Sequence, residues 1–229
     1  MTIKIYEDVV QGSDEWRQQR IGLLTASEVK LILTPTLKLA SNDKERAHVY
    51  ELAAQRISGY VEPTYVGDEM LRGHDDEVRA KIAYAERFEP VDEVGFITND
   101  ALGFAMGYSP DALVGKHGLI ECKSRRQKFA VQTMIEFVES QTIPDDYVLQ
   151  VQSALLISGR KWCDFVSYTG GLPMIVIRVF PDAIVQNAII EAATAFEARV
   201  QAKVNKWHEI VATYDRLVPT ERHIEEEMF

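Results

Sequence analysis

Three residues concentrate the chemistry of this chain: Asp111, Glu121 and Lys123. Asp111 closes the run Tyr108-Ser109-Pro110-Asp111 and leads into Ala112-Leu113-Val114, while Glu121 and Lys123 alternate along Leu119-Ile120-Glu121-Cys122-Lys123-Ser124. Between the two runs lies Gly115-Lys116-His117-Gly118, a glycine-bounded connection of the kind that reverses a chain into a β-hairpin. Pairing across a turn at 115–118 joins residues whose numbers sum to 233; Asp111 and Glu121 fall one short of that, so the acids are expected as near neighbours. Opposed side chains on paired strands have Cβ atoms about 4.5–5.5 Å apart, a spacing at which two carboxylates share one divalent cation. A slip of one residue would turn one acid to the other face, so a bulge or a bend at the strand end must settle the register. The strand period of two sets Leu119, Glu121 and Lys123 on one face and Ile120 and Cys122 on the other. The same acid and lysine would also suit a solvated strand edge carrying an ion pair. Glu28-Val29-Lys30 repeats the spacing in a helical context, where residues two apart do not face each other.

The elements that must position these groups follow from capping and periodicity. Ser13 suits the N-cap of a short helix, and Thr25-Ala26-Ser27-Glu28 has capping-box form ahead of a second. The amides of that helix start, the hydroxyls of Thr25 and Ser27 and the guanidinium of Arg20 would make a phosphate-sized anion site; the alternative is that the hydroxyls only cap and Arg20 pairs with an acid. Trp16 is expected in the core. Pro35 ends the helix, and the polar loop 36–42 offers Lys38. An amphipathic helix is expected over 43–57 with Tyr50, Ala53, Ala54 and Ile57 inward, and another over 68–87 with Leu71, Val78, Ile82 and Ala85 inward. Glu77, in the acidic group 73–77, lies beside that stripe and is the acid best placed to reach inward. Strands are expected over 91–97 and 104–113, then the hairpin, a helix over 126–139 that begins among Arg125, Arg126 and Lys128, and a helix over 144–158. Tyr147, Val151, Ala154, Leu155 and Ser158 make the packing side of the latter, with Gln150 and Gln152 as solvated flanks. Strands over 162–168 and 174–179 precede a long helix over 183–206, and the acidic tail 220–229 reads as a solvated end or a partner contact.

The whole chain bounds the function. Its 229 residues, 46% hydrophobic and 26% charged, suit a soluble globular protein with ample core. A net charge of −10 argues against gripping nucleic acid by bulk electrostatics, although acidic clusters are what a hard divalent metal requires. Cys122 and Cys163 sit in strand-like runs as free thiols, and the five histidines are scattered, so neither zinc spacing nor a Ser-His-Asp triad is present. No apolar stretch reaches membrane-spanning length and no signal peptide opens the chain, so a cytoplasmic protein is expected. The element order predicts an α/β fold with a central mixed β-sheet flanked by helices and an added N-terminal helical part. We read 1–229 as a single domain: a mainly helical part at 1–90, the sheet and its helices at 91–180, and a C-terminal helix and tail at 181–229.

Pro110-Asp111 followed by Glu121-Cys122-Lys123 and a glutamine-bearing helix resembles the core of the restriction-endonuclease-like superfamily with its PD-(D/E)xK signature. The resemblance is closer to the phage lambda exonuclease family, the YqaJ-like viral recombinases. It is carried by Trp16 to Glu28, Gly73 to Glu77, Ser109-Pro110-Asp111 and Tyr147-Val148-Leu149-Gln150-Val151-Gln152 in the same order and spacing. It implies a magnesium-dependent exonuclease, with Mn2+ as a substitute, that digests one strand of linear double-stranded DNA from the 5′ end to 5′-mononucleotides. The 3′ tail left behind would pass to a single-strand annealing recombinase, and three subunits would form a ring around the DNA. By matching position, Asp111, Glu121 and the backbone carbonyl of Cys122 would be metal ligands, Lys123 the catalytic lysine, Glu77 an upstream acid near the metal and Gln150 a positioning residue. Arg20 and Ser27 would form the pocket for the terminal 5′-phosphate. Ala112 follows the aspartate where the family often has glycine, and beyond about residue 170 the resemblance is weak. A structure-specific or nicking endonuclease on the same core, and a non-catalytic DNA-end binding protein, are the competing readings. Cutting of closed circles would mark the first, and absence of metal-dependent nucleotide release the second.

Overall fold

The computed structural model describes residues 2–62 and 68–222. The tail expected at 220–229 therefore lies mostly outside the described residues, as does the side chain of Leu71. The chain opens with β1 (Ile3–Tyr6) and α1 (Asp14–Arg20), capped by Ser13, whose Oγ accepts the Trp16 amide at 3.2 Å. β2 (Leu24–Thr25), a 3-10 turn (Ala26–Glu28) and the single-turn α2 (Val29–Ile32) follow, so the expected capping box is present but starts a tighter, shorter helix. Next come α3 (Asp43–Ser58), α4 (Asp68–Arg87), β3 (Phe96–Asn99), β4 (Met106–Tyr108), β5 (Ala112–Val114) and β6 (Gly118–Ser124). The remainder is α5 (Gln127–Glu136), α6 (Asp145–Ser158), β7 (Trp162–Tyr168), β8 (Ile175–Val179) and α7 (Ala183–Thr213).

The strands form two mixed four-stranded sheets, ordered β1-β3-β4-β2 and β5-β6-β7-β8. The expected strand over 104–113 is thus two strands in two sheets. Pro110, which has no N–H to give a ladder, lies at the break, and its carbonyl accepts from Gln11 Nε2 at 2.8 Å. The second sheet is organised by the parallel pairing of β6 with β7, from Gly118 opposite Trp162 to Ser124 opposite Tyr168. Gly118 is required there, since a Cβ would come within 2.1 Å of the Trp162 ring.

One face of that sheet packs on α6, which α7 backs in turn, and Val151, Ala154, Leu155, Ala192 and Phe196 share one core with Leu119 and Phe165. The other face is covered by α4, with Ala80 and Tyr84 against Ala112, Ile120 and Val166. This corrects two expected stripes. On α4, Val78 and Ile82 are 42% and 56% exposed, and the inward positions are Ala80, Lys81 and Tyr84. On α3, Tyr50 is 55% exposed, Ala54 also faces out, and Glu45, His48, Val49, Leu52 and Ala53 face in. In both helices polar residues occupy the buried side because they have partners there. Tyr84 donates to the buried Asp164 at 2.6 Å, which Arg178 also holds with two bonds of 2.8 Å, and Arg199 reaches Glu45 at 2.9 Å. Among the described residues no helix is long and apolar enough to cross a membrane.

Candidate active site

The hairpin register is one residue away from the turn-based expectation, and the difference brings the acids together. Ala112 pairs with Ile120, Leu113 with Leu119 and Val114 with Gly118, so the turn is Gly115 to His117, with Gly115 in the left-handed region at φ 49. Continuing that register places Asp111 opposite Glu121. The β5–β6 ladder has ended by then, and the amide it leaves free on Cys122 donates to Asp111 Oδ2 instead. In an extended strand a residue's carbonyl points to the same side as its amide, so the Cys122 carbonyl faces the edge on which Asp111 sits.

Glu121 is 2% exposed, yet three donors serve its carboxylate. Lys123 Nζ lies 2.7 Å from Oε1, Gln150 Nε2 makes a short bond to the same oxygen, and the Tyr108 hydroxyl donates to Oε2 at 2.8 Å. Gln150 is therefore not a solvated flank of α6. Nor is Gln152, which is buried with its amide bonded to the Phe180 carbonyl and the Asp182 amide, both at 2.9 Å. Burial, and then the charge of Glu121, push the Asp111 carboxyl well above its ordinary value, with Glu77 adding to the rise and Lys123 and the Cys122 amide opposing it. Burial disfavours the Lys123 ammonium, but Glu121 and Asp111 outweigh it and the pKa rises. Burial and Glu121 likewise raise the Tyr108 phenol, which stays a donor.

Glu77 stands close enough to raise both the Asp111 carboxyl and the Cys122 thiol. Its Oε1, however, lies 3.2 Å from Lys81 Nζ, and Lys81 also reaches Glu93 at 2.9 Å. Among the described residues no three acidic, histidine or cysteine groups converge as a metal cage. The donors that do converge are two carboxylates and a backbone carbonyl, all hard oxygens, which is the chemistry Mg2+ or Mn2+ accepts and zinc or copper would not select. Burial and Glu121 raise the Asp111 carboxyl, and a cation bound beside it would favour its charged form.

Arg20 lies on the other side of the sheet break. Its guanidinium stacks 4.3 Å from the Trp16 ring and donates to Ser109 Oγ at 3.2 Å, and Trp16 Nε1 bonds the same hydroxyl at 2.9 Å. Trp16 is thus a platform for the arginine rather than core. Burial lowers the Arg20 pKa, with Glu28 opposing. Ser27 is exposed, its hydroxyl 3.3 Å from that of Thr25. The expected anion site at the helix start is altered, since Glu28 Oε2 takes both the Thr25 amide at 2.9 Å and its hydroxyl at 2.7 Å. Ser109, Tyr108 and Lys81 were not singled out from the sequence as site residues. Ser109 and Tyr108 precede the Pro-Asp pair, but their contacts reach 89 and 13 residues away, and no local pattern signals such contacts.

A mixed α/β core whose second sheet carries Asp111, Glu121 and Lys123 at one edge, with a glutamine from the covering helix on the central acid, defines a nuclease of the restriction-endonuclease-like class. Residues 15–161 match the YqaJ-like viral recombinase domain, and the chain belongs to that family. Among solved structures it is similar to an alkaline exonuclease from Laribacter hongkongensis, with 29% identity, a TM-score of 0.75, and 87% of this chain and 98% of that one covered. The same enzyme in complex with dAMP matches with 30% identity, a TM-score of 0.76 and the same coverage. A phage-related exonuclease from Haemophilus somnus 129PT, at 13% identity and TM-score 0.56 over 81% of this chain and 96% of that one, shares the fold. Comparison with curated proteins gives no significant match. The chain is a nuclease of the viral-recombinase, alkaline-exonuclease type.

Proposed function

We propose that this nuclease digests one strand of linear double-stranded DNA from its 5′ end in a Mg2+-dependent reaction, releasing 5′-mononucleotides and leaving a 3′ tail for recombination by strand annealing. The observation that carries the reading is the end of the β5–β6 ladder, where Asp111 takes the Cys122 amide opposite Glu121 and one oxygen of Glu121 is shared by Lys123 and Gln150. Asp111, Glu121 and the Cys122 carbonyl would hold the metal, with Glu77 as the outer acid. A bound Mg2+, or Mn2+ in its place, supplies a water of lowered pKa and a Lewis acid for the phosphoryl oxygens. The protein's own groups account for the rest. Lys123 is an ammonium at neutral pH, so it acts as a donor that orients the attacking water and meets charge on the phosphoryl oxygens. Gln150 holds Glu121 in place. Water adds to phosphorus, the bond to O3′ of the terminal nucleotide breaks, and the next nucleotide inherits a 5′-phosphate. That phosphate would be received by Arg20, already oriented by Trp16 and Ser109, with Ser27 at the rim. A homotrimeric ring would explain how a chain of net charge −10 stays on DNA, because enclosure replaces bulk attraction.

The test is digestion of linear duplex bearing 5′-phosphate or 5′-hydroxyl ends, with Mg2+ or with chelator, beside a closed circle. The expected result is metal-dependent release of mononucleotides from phosphorylated 5′ ends and an intact circle. Cutting of the circle, or release from 3′ ends, would overturn the reading. Light scattering checks the ring separately, since a monomer with undiminished processivity would exclude it.

A further inference from the structure

The site just described uses the groups up to Lys123. Immediately beyond it, a groove of about 550 Å³ opens between the start of α5 and the start of α6, with Arg72, Ser124, Arg125, Phe129 and Tyr147 among its walls. Arg125 is held there with unusual completeness. Its amide donates to the Tyr168 carbonyl at 2.8 Å and its carbonyl accepts from Thr169 Oγ1 at 2.6 Å. Its guanidinium lies 5.1 Å from the ring centres of both Phe129 and Tyr147 and donates from one Nη to the Tyr147 hydroxyl at 2.6 Å. Tyr147 is also the ring over which Lys123 Nζ sits, at 5.7 Å, so one aromatic side chain braces both cations.

That bracing has no evident structural client. Among the described residues no carboxylate pairs with Arg125, and its Nε is buried without a hydrogen-bond partner. A guanidinium carries five donors in a planar fork matched to phosphate oxygens, and an unsatisfied polar group in a folded protein calls for an explanation such as an absent ligand. The acids Glu136, Asp145 and Asp146 also line the groove and oppose an anion by bulk charge, so a phosphate held there would depend on the braced guanidinium fork. Arg125 lies two residues past Lys123, a step of about 6.6 Å along an extended chain. It is therefore displaced along β6 from Lys123 and the bond being broken.

We infer that Arg125, braced between Phe129 and Tyr147, binds the backbone phosphate next 3′ to the scissile one and so positions the strand being degraded. This rests on the proposed polarity, which puts the 5′ end at Arg20 and sends the rest of the strand past Lys123. Arg125 is a substrate-positioning residue in this account, and Tyr147 couples its placement to that of the lysine.

The test is single-turnover cleavage of the first linkage of a 5′-phosphorylated duplex in which the second linkage is either phosphate or an uncharged methylphosphonate. Removing the phosphate should slow wild type by about tenfold, as loss of a charge-assisted contact does. Arg125→Gln should slow cleavage of all-phosphate DNA by about ten- to a hundredfold and be nearly indifferent to the methylphosphonate. Arg125→Lys, which keeps the charge without the fork, should fall between. Multiplying losses, or a variant altered only in inhibition by free nucleoside 5′-monophosphate, would assign the groove elsewhere and overturn the inference. Should Arg125→Gln fail to fold, the wild-type loss must still be confined to the second linkage and vanish when the methylphosphonate is moved to the fourth; a uniform loss overturns it. Absence of 5′-end digestion by the unmodified enzyme sinks the exonuclease reading as well, whereas normal digestion with multiplying losses sinks this inference alone.

Discussion

Asp111→Asn should make the metal-free protein more stable while destroying its response to metal. In the folded chain the Asp111 carboxyl is held well above its ordinary value of 3.8, chiefly by burial and by Glu121. The folded state therefore keeps a proton that the unfolded chain has already released. Stability falls as pH rises from 3.8 towards the folded value, and each unit of rise costs about 1.4 kcal/mol. Asparagine has no such penalty and retains an oxygen to accept the Cys122 amide. The expected gain in chelator at neutral pH is about 1–2 kcal/mol, the usual scale for relieving a strained functional site, or about 2–8 °C for a chain of this length. Magnesium should reverse the order. At a hundred times its dissociation constant a ligand adds about 2.7 kcal/mol to the form that binds it, and only wild type should gain this. Thermal melting of both proteins in chelator and in Mg2+, from pH 5 to 8, reads every part of this. An Asn variant that melts below wild type in chelator, or that shows the same magnesium shift, would refute the account of Asp111 as a carboxylate waiting for a cation.

Three further outcomes follow from the same geometry. Lys123→Ala should abolish metal-dependent nucleotide release without loss of the folded state; full digestion by this variant would remove Lys123 from the site. Tyr108→Phe and Gln150→Ala each take one donor from Glu121 and should lower turnover or magnesium affinity by about ten- to a hundredfold, the range for partners that orient a ligand, as measured by a magnesium titration of initial rates. Arg20→Ala should erase the preference for 5′-phosphate over 5′-hydroxyl ends while leaving slow digestion of both, and an unchanged preference in paired substrates would move the pocket elsewhere.

Much of the framework of the candidate site is legible because it is written in local spacing. The hairpin, its alternating Glu121 and Lys123, the Ser13 cap and the helix carrying Gln150 each follow from residues within a few positions of one another, and the structure contains them. The failures share one cause. Gln152 reads from the sequence as a solvated flank, and the expected stripes leave out Tyr84, Lys81 and Glu45, yet each is buried against a partner distant in sequence or on another element, and a helix turned by such partners carries Val78, Ile82 or Tyr50 to the surface. The one-residue error in hairpin register had a different origin. Gly118 looks like a turn residue, but it is the first residue of β6, kept small by the Trp162 ring rather than by a bend.

The serine at the sheet break has a consequence for what leaves the enzyme. Ser109 is bonded to Arg20 and Trp16, and only Pro110 separates it from Asp111. Two peptide units span about 7 Å when extended, and proline at their centre denies them much freedom to lengthen or contract. If the proposed pocket holds, a chain end seated at the arginine would meet the paired carboxylates at a set interval, on the scale of a single nucleotide. On the proposed polarity the break in the sheet would work as a ruler, setting product size at one nucleotide without reading any base, and a residue inserted between Ser109 and Asp111 should yield longer fragments before it costs the fold.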